Sequence, residues 1–106
     1  MNQSEADRMD PFRDPECGTG RTTKQMRSAP HGAAFVWPVW SSIGYARDLA
    51  RHLNRLDLII ITPSRLRDFR PGQYPALVVD HGVKFTRTEY AECDRVRSIL
   101  GDDRVF

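Results

Sequence analysis

Leu56-Asp57-Leu58-Ile59-Ile60-Ile61-Thr62, closed by Pro63, is the most hydrophobic run in the chain. It is apolar on successive positions and β-branched in its middle, which suits a strand covered on both faces. Such strands belong to parallel sheets, and this run is the predicted central strand. Two further runs read the same way: Ala33-Ala34-Phe35-Val36-Trp37, closed by Pro38, and Ala76-Leu77-Val78-Val79, which ends in Asp80. Between the first two runs, Ile43, Ala46, Leu49, Ala50 and Leu53 recur at spacings of three and four behind Ser41 and Ser42, predicting a capped helix with one apolar stripe. Ser64 to Phe69 suits a single helical turn, and the segment from Arg70 to Pro75 is a loop by composition. After the third run, Thr86-x-x-Glu89 is a capping box opening a helix to about Leu100. Tyr90, Cys93, Val96, Ile99 and Leu100 form its apolar side, and Gly101 ends it. Strands alternating with helices give an α/β fold: a small parallel sheet of about three strands flanked by helices.

With 106 residues the chain is one small domain. Residues 1–16 hold Asp7, Asp10, Asp14, Pro11 and Pro15 with little to bury, and read as a flexible N-terminal arm before a single domain over 17–106. Hydrophobic residues at 40% and charged residues at 28% describe a globular chain, and a net charge of +2 does not by itself imply nucleic acid. Only Lys24 and Lys84 are lysines, so the cationic side is almost wholly arginine, from a GC-rich genome or from a need for the planar guanidinium fork. Cys17 and Cys93 lack any metal-ligand spacing and are expected as free thiols in a reducing cytosol. The polar start of the chain carries no apolar run, so no membrane span or secretory signal is expected, and the localisation read from the sequence is cytoplasmic.

The chemistry-bearing stretch is Pro15-Glu16-Cys17-Gly18-Thr19-Gly20-Arg21-Thr22-Thr23. Two glycines one residue apart let consecutive backbone N–H groups turn toward one anion. A helix over Arg21 to Ser28, with Thr19 as candidate N-cap, adds its positive dipole end, and Thr22 or Thr23 can reach a magnesium ion. The P-loop pattern G-x-x-x-x-G-K-[ST], aligned on Gly20, meets Pro15 in place of the first glycine and Arg21 in place of lysine. The two readings of the stretch are a phosphate cradle and a plain Gly-rich turn opening a helix. Pro11 and Pro15 each remove a ladder donor, so the segment before the loop does not read as the leading strand of a P-loop.

Leu77-Val78-Val79-Asp80 resembles a Walker B strand. Together with Gly-Thr-Gly-Arg-Thr-Thr-Lys-Gln-Met, Gly-Ala-Ala-Phe-Val-Trp and Val-Val-Asp-His-Gly, the chain is similar to small P-loop-like proteins of phages and prophages with a Gly-x-Gly-Arg-Thr-Thr motif, a shortened P-loop NTPase. The resemblance implies Gly18, Thr19, Gly20, Arg21, Thr22 and Thr23 around phosphate, with Thr22 and Asp80 at a metal. The implied ligand is ATP or another nucleotide with Mg2+, in the host cytoplasm if the chain is phage-encoded. No glutamate follows Asp80; His81 stands there, which favours binding over turnover. The alternative class is a non-catalytic interaction protein, an inhibitor of a host enzyme or defence complex, or a nucleic-acid-binding module. It would present the row Arg47, Arg51 and Arg55 together with Arg65, Arg67, Trp37 and Trp40. His81 acts as a base or closes its loop, and Trp37, Trp40 and Tyr74 stack a ligand or close the core edge. The chain is a monomer or a homodimer on these grounds.

Overall fold

In the computed structural model the described residues are 20–106. Three short strands form a parallel sheet: β1 (Ala34–Val36), β2 (Ile59–Ile61) and β3 (Leu77–Val79), in the order β2-β1-β3. The helices are α1 (Arg21–Ser28), α2 (Ile43–His52) and α3 (Arg87–Leu100), with 3-10 turns at Pro63–Asp68 and Asp102–Arg104. The predicted arm over 1–16, together with Cys17, Gly18 and Thr19, lies outside the described residues.

Each strand alternates its side chains between two cores. Phe35, Trp37, Ile60 and Val78 point to one face, where they meet Met26 of α1 and Ala46, Leu49 and Ala50 of α2. Ala34, Val36 and Leu77 point to the other, against Leu66, Phe69 and the α3 residues Cys93 and Val96. The result is a three-layer α/β/α unit, and burial on both faces is why the strands read as unbroken apolar runs.

The central strand is β1, not the isoleucine run. Its residues are fully buried and pair in register with both neighbours, Phe35 facing Ile60 on one side and Val78 on the other. The isoleucine run lies at the sheet margin, where Ile59 is 42% and Leu56 70% exposed. Hydrophobicity marks a strand as covered above and below but says nothing about its lateral neighbours; those follow from the connections. The chain leaves β1 over one face through α2 to reach β2. It then returns across the other face, through the Pro63–Asp68 turn, to add β3 on the far side of β1. Val105 bridges Leu77 in parallel, with Val79 N–H donating to Phe106 O at 2.9 Å and Phe106 N–H to Leu77 O at 2.8 Å, so β3 is also flanked on its outer side.

The helix ends follow local chemistry. Ser42 caps α2 by accepting from Tyr45 N–H. Thr86 and Glu89 form the reciprocal capping box of α3, and Gly101, at φ 93°, ends it. Tyr90 departs from the predicted apolar side of α3: it is exposed and stands edge-on against Phe85. Cys93 is a buried free thiol, and that burial pushes its pKa up. Among the described residues no helix is long and apolar enough to cross a membrane.

One ion pair ties α1 to this frame. Asn54, in the left-handed region at φ 58°, closes α2 with the two bonds of a Schellman motif, Asn54 N–H to Arg51 O and Arg55 N–H to Ala50 O. That turn throws the Arg55 side chain away from Arg47 and Arg51, so the predicted row of three exposed arginines is a row of two. The Arg55 guanidinium instead donates to the α1-end carbonyls of Met26, Arg27, Ala29 and Pro30. It also grips Asp57 through two bonds, 3.0 and 2.9 Å, while Asp57 accepts from Gly32 N–H at 2.8 Å. Both side chains are largely buried. The Arg55 hydrogen bonds hold the Asp57 carboxyl far below the usual carboxylate range, against the opposing effect of burial.

Replacing Arg55 by methionine keeps the aliphatic stem but orphans Asp57 and the α1 carbonyls, and is expected to cost about 3–5 kcal/mol in urea unfolding. Because the Asp57 pKa is lowered on folding, its contribution is complete above the unfolded carboxyl value of about 4 and is lost as pH falls toward the folded value. Unfolding midpoints measured from neutral pH into acid are expected to fall steeply for the parent chain and less steeply for Asp57→Asn.

Candidate functional site at the strand switch point

Adjacent strands β1 and β3 send the chain to opposite faces of the sheet: α2 follows β1 on one side, and α3 follows β3 on the other. A crevice opens beyond the carboxyl ends of two such strands, which is where ligands gather in open α/β sheets. Asp80 sits at the end of β3, held in the ladder by its N–H donating to Val36 O at 3.1 Å. Pro38, Val39 and Trp40 follow β1, and the N-terminus of α1 approaches from the first core face.

Gly20 is the N-cap of α1 and adopts φ 70°, ψ 29°, the left-handed region that glycine occupies without a Cβ clash. It makes no side-chain cap, so the cap is Gly20 and not the predicted Thr19. A left-handed residue followed by helical ones turns successive N–H groups inward as an anion-binding nest, and the first N–H groups of a helix have no partner within it. No acidic residue stands in the first turn of α1, and Arg21 is exposed there.

Thr22 is buried and faces the residues that follow β3. Its hydroxyl donates to Asp80 Oδ1 at 2.8 Å and lies 3.0 Å from His81 Nε2. Since the single hydroxyl proton goes to Asp80, the imidazole is the donor of the second bond. Gly82 N–H donates to Asp80 Oδ2 at 2.9 Å, so each oxygen of this buried carboxylate has a donor. Thr23 lies one position further round the helix and is only partly covered.

Of the sequence-derived site residues, Thr22 and Asp80 meet directly and Gly20 and Arg21 adjoin them, while Gly18 and Thr19 lie outside the described residues. A hard cation would find two oxygen donors in Thr22 Oγ1 and Asp80. Among the described residues no group of three or more His, Cys, Asp or Glu side chains is placed to hold a metal.

Gln25 is a functional neighbour that sequence reasoning missed. Its Nε2 donates to Val79 O at 2.8 Å and its Oε1 accepts from His81 N–H at 3.0 Å, clamping the end of β3 to α1. The signal was present: Gln25 follows Thr22 by three residues, one turn on, beside buried Met26. The tryptophans divide their roles. Trp37 is 4% exposed in the core, and its Nε1 is a buried donor without a partner among the described residues. Trp40 is 57% exposed, held at the crevice by Nε1 donating to Gly82 O at 3.1 Å. A Cβ on Gly82 would sit 3.1 Å from both Asp80 Oδ2 and the Trp40 ring, so a larger residue would have to push the carboxylate or the indole back by a few tenths of an ångström.

No family model, no curated protein and no solved structure matches the chain.

Thr22→Val keeps the shape of the side chain but leaves Asp80 Oδ1 without its donor. The expected cost is about 1–3 kcal/mol in urea unfolding, with Thr22→Ser recovering most of it.

Proposed function

We propose that this chain binds a phosphate-bearing ligand, a nucleotide together with Mg2+, at the crevice between β1 and β3, with weak or no turnover. The observation that carries this reading is the Thr22 Oγ1 to Asp80 Oδ1 hydrogen bond, which brings the start of α1 and the end of β3 to one point. The amides at Gly20, Arg21 and Thr22 would receive phosphate oxygens, and the Arg21 guanidinium would supply charge and two parallel donors. Thr22 and Asp80 would hold the ion. When bound, Mg2+ neutralises phosphate charge and fixes the phosphate orientation.

Turnover would need a base over an attacking water. His81 occupies the place of the expected glutamate, and its Nε2 is engaged with Thr22, which supports a binding role. The likeness to a shortened P-loop protein of phage type belongs to this same reading and rests on the loop, the strand-end carboxylate and the parallel sheet. A second reading, a module that docks a host protein or nucleic acid, is favoured by exposed Val39 and Trp40 side by side at the crevice and by exposed Arg47 and Arg51 on α2.

Isothermal titration with ATP, ADP and GTP, with and without MgCl2, tests the first reading. Saturable heat that strengthens with Mg2+ is expected. Arg21→Ala should weaken binding by about tenfold or more, the loss of a charge-assisted contact, and Asp80→Asn should abolish the Mg2+ enhancement. No heat and no change in melting temperature at millimolar nucleotide overturns the nucleotide reading. Retention on nucleic acid that falls steeply with salt would support the second.

A further inference from the structure

A cavity of about 370 Å³ is lined by Ile60, Ile61 and Thr62 at the carboxyl end of β2, and neither Thr22, Asp80 nor His81 is among its lining residues. Its apolar floor is Ile43 of α2 with Ile60 and Ile61 of β2, and Phe69 and Tyr74 form the opposite wall, their ring centroids 5.5 Å apart. Arg47 enters from α2 and Arg65 from the Pro63–Asp68 turn, so two guanidiniums carried by different elements line one hollow. Among the described residues neither arginine is within ion-pair distance of a carboxylate, although Asp68 lines the same space. Elsewhere the chain pairs its arginines readily: Arg51 with Asp48, Arg95 with Glu92, and Arg97 with Asp94 and Asp102.

The wall is built before any ligand arrives. Arg95 of α3 reaches across to donate to Phe69 O at 2.9 Å and Leu66 O at 2.7 Å while paired with Glu92 at 2.8 Å. The neighbouring turn is closed by Gln73 N–H donating to Arg70 O and by Arg70 N–H donating to Gln73 Oε1, both at 3.1 Å, with Gly72 at φ 80°. These bonds fix the aromatic wall at its backbone, while the two arginines stay uncommitted.

We propose that this cavity is a binding site for a small amphipathic organic anion. An apolar or aromatic body would lie between Ile60 and Tyr74, and a carboxylate or other oxyanion head would meet Arg47 and Arg65. The volume lies at the lower end of that of small-molecule pockets, and the lining is half apolar and half polar, with Thr62, Asp68 and Gln73 beside the two arginines, which suits an amphipathic ligand. Guanidiniums without carboxylate partners select a planar or tetrahedral oxyanion. The site is separate from the crevice and stands whether or not a nucleotide binds there.

The aromatic sulfonate 8-anilinonaphthalene-1-sulfonate serves as the probe, titrated into the full chain and followed by its fluorescence. A saturable one-to-one rise is expected. Arg47→Ala and Arg65→Ala, both exposed and folded by circular dichroism, should each raise its Kd about tenfold or more. Arg67→Ala, at an exposed position outside the cavity, should leave it unchanged. The uncharged analogue N-phenyl-1-naphthylamine should bind at least tenfold more weakly, and ATP with MgCl2 should not displace the sulfonate. Non-saturating fluorescence, unaltered affinity in both arginine variants, equal binding of the uncharged analogue, or displacement by ATP would each overturn the proposal.

Discussion

The Arg55–Asp57 pair is the constraint on which the rest of the structure depends. Helix α1 is short, carries Met26 as its one fully buried large apolar side chain, and has little intrinsic stability at eight residues. Its position is set at the far end, where one guanidinium satisfies the closing carbonyls and a buried carboxylate holds that guanidinium in place. Gln25 and Thr22 then fasten the near end to β3. Two polar attachments, one at each terminus, do for this helix what an apolar stripe does for α2 and α3.

That arrangement explains why polar groups are buried beside an otherwise aliphatic core. A carboxylate taken from water is tolerated only when its oxygens are met. Asp57 meets the fork of Arg55 and the N–H of Gly32, whereas Asp80 meets a hydroxyl and the N–H of Gly82. The two acids differ in what they could still do. Asp57 is neutralised by a permanent cation and is structural, whereas Asp80 is met by the Thr22 hydroxyl and the Gly82 N–H at the carboxyl end of β3.

The layered α/β class, the three parallel strands and both long helices were legible because covered strands and amphipathic helices leave plain periodicities. Ser42, Thr86 with Glu89, and Gly101 marked helix ends by chemistry that acts within a turn. Lateral order was not legible: the isoleucine run outranks Ala34–Val36 in hydrophobicity, yet position in a sheet depends on which face each connection crosses. The fate of Arg55 was hidden for a related reason. Its spacing from Arg47 and Arg51 assumed that the helix continued, but the helix ends at His52, three residues short of Arg55, and left-handed Asn54 closes it. Thr22 and Asp80 were each readable as candidates, but their contact, and the clamp made by Gln25, exist only in three dimensions. The hollow beside β2 was less visible still, since its lining comes from four separate segments.

The partners of the Thr22–Asp80 bond are 58 residues apart, one in the first described helix and the other just past the last strand of the sheet. Nothing local assembles that point. Seating β3 on β1 closes a loop that contains α2, β2 and the Pro63–Asp68 turn, and that closure costs entropy before the contacts made at the strand end can repay it. A partly folded or nicked chain that has lost β3 therefore has no residual fraction of a crevice. Competence at this place is a property of the completed sheet alone, which makes it a sensitive reporter of whether a preparation is fully native.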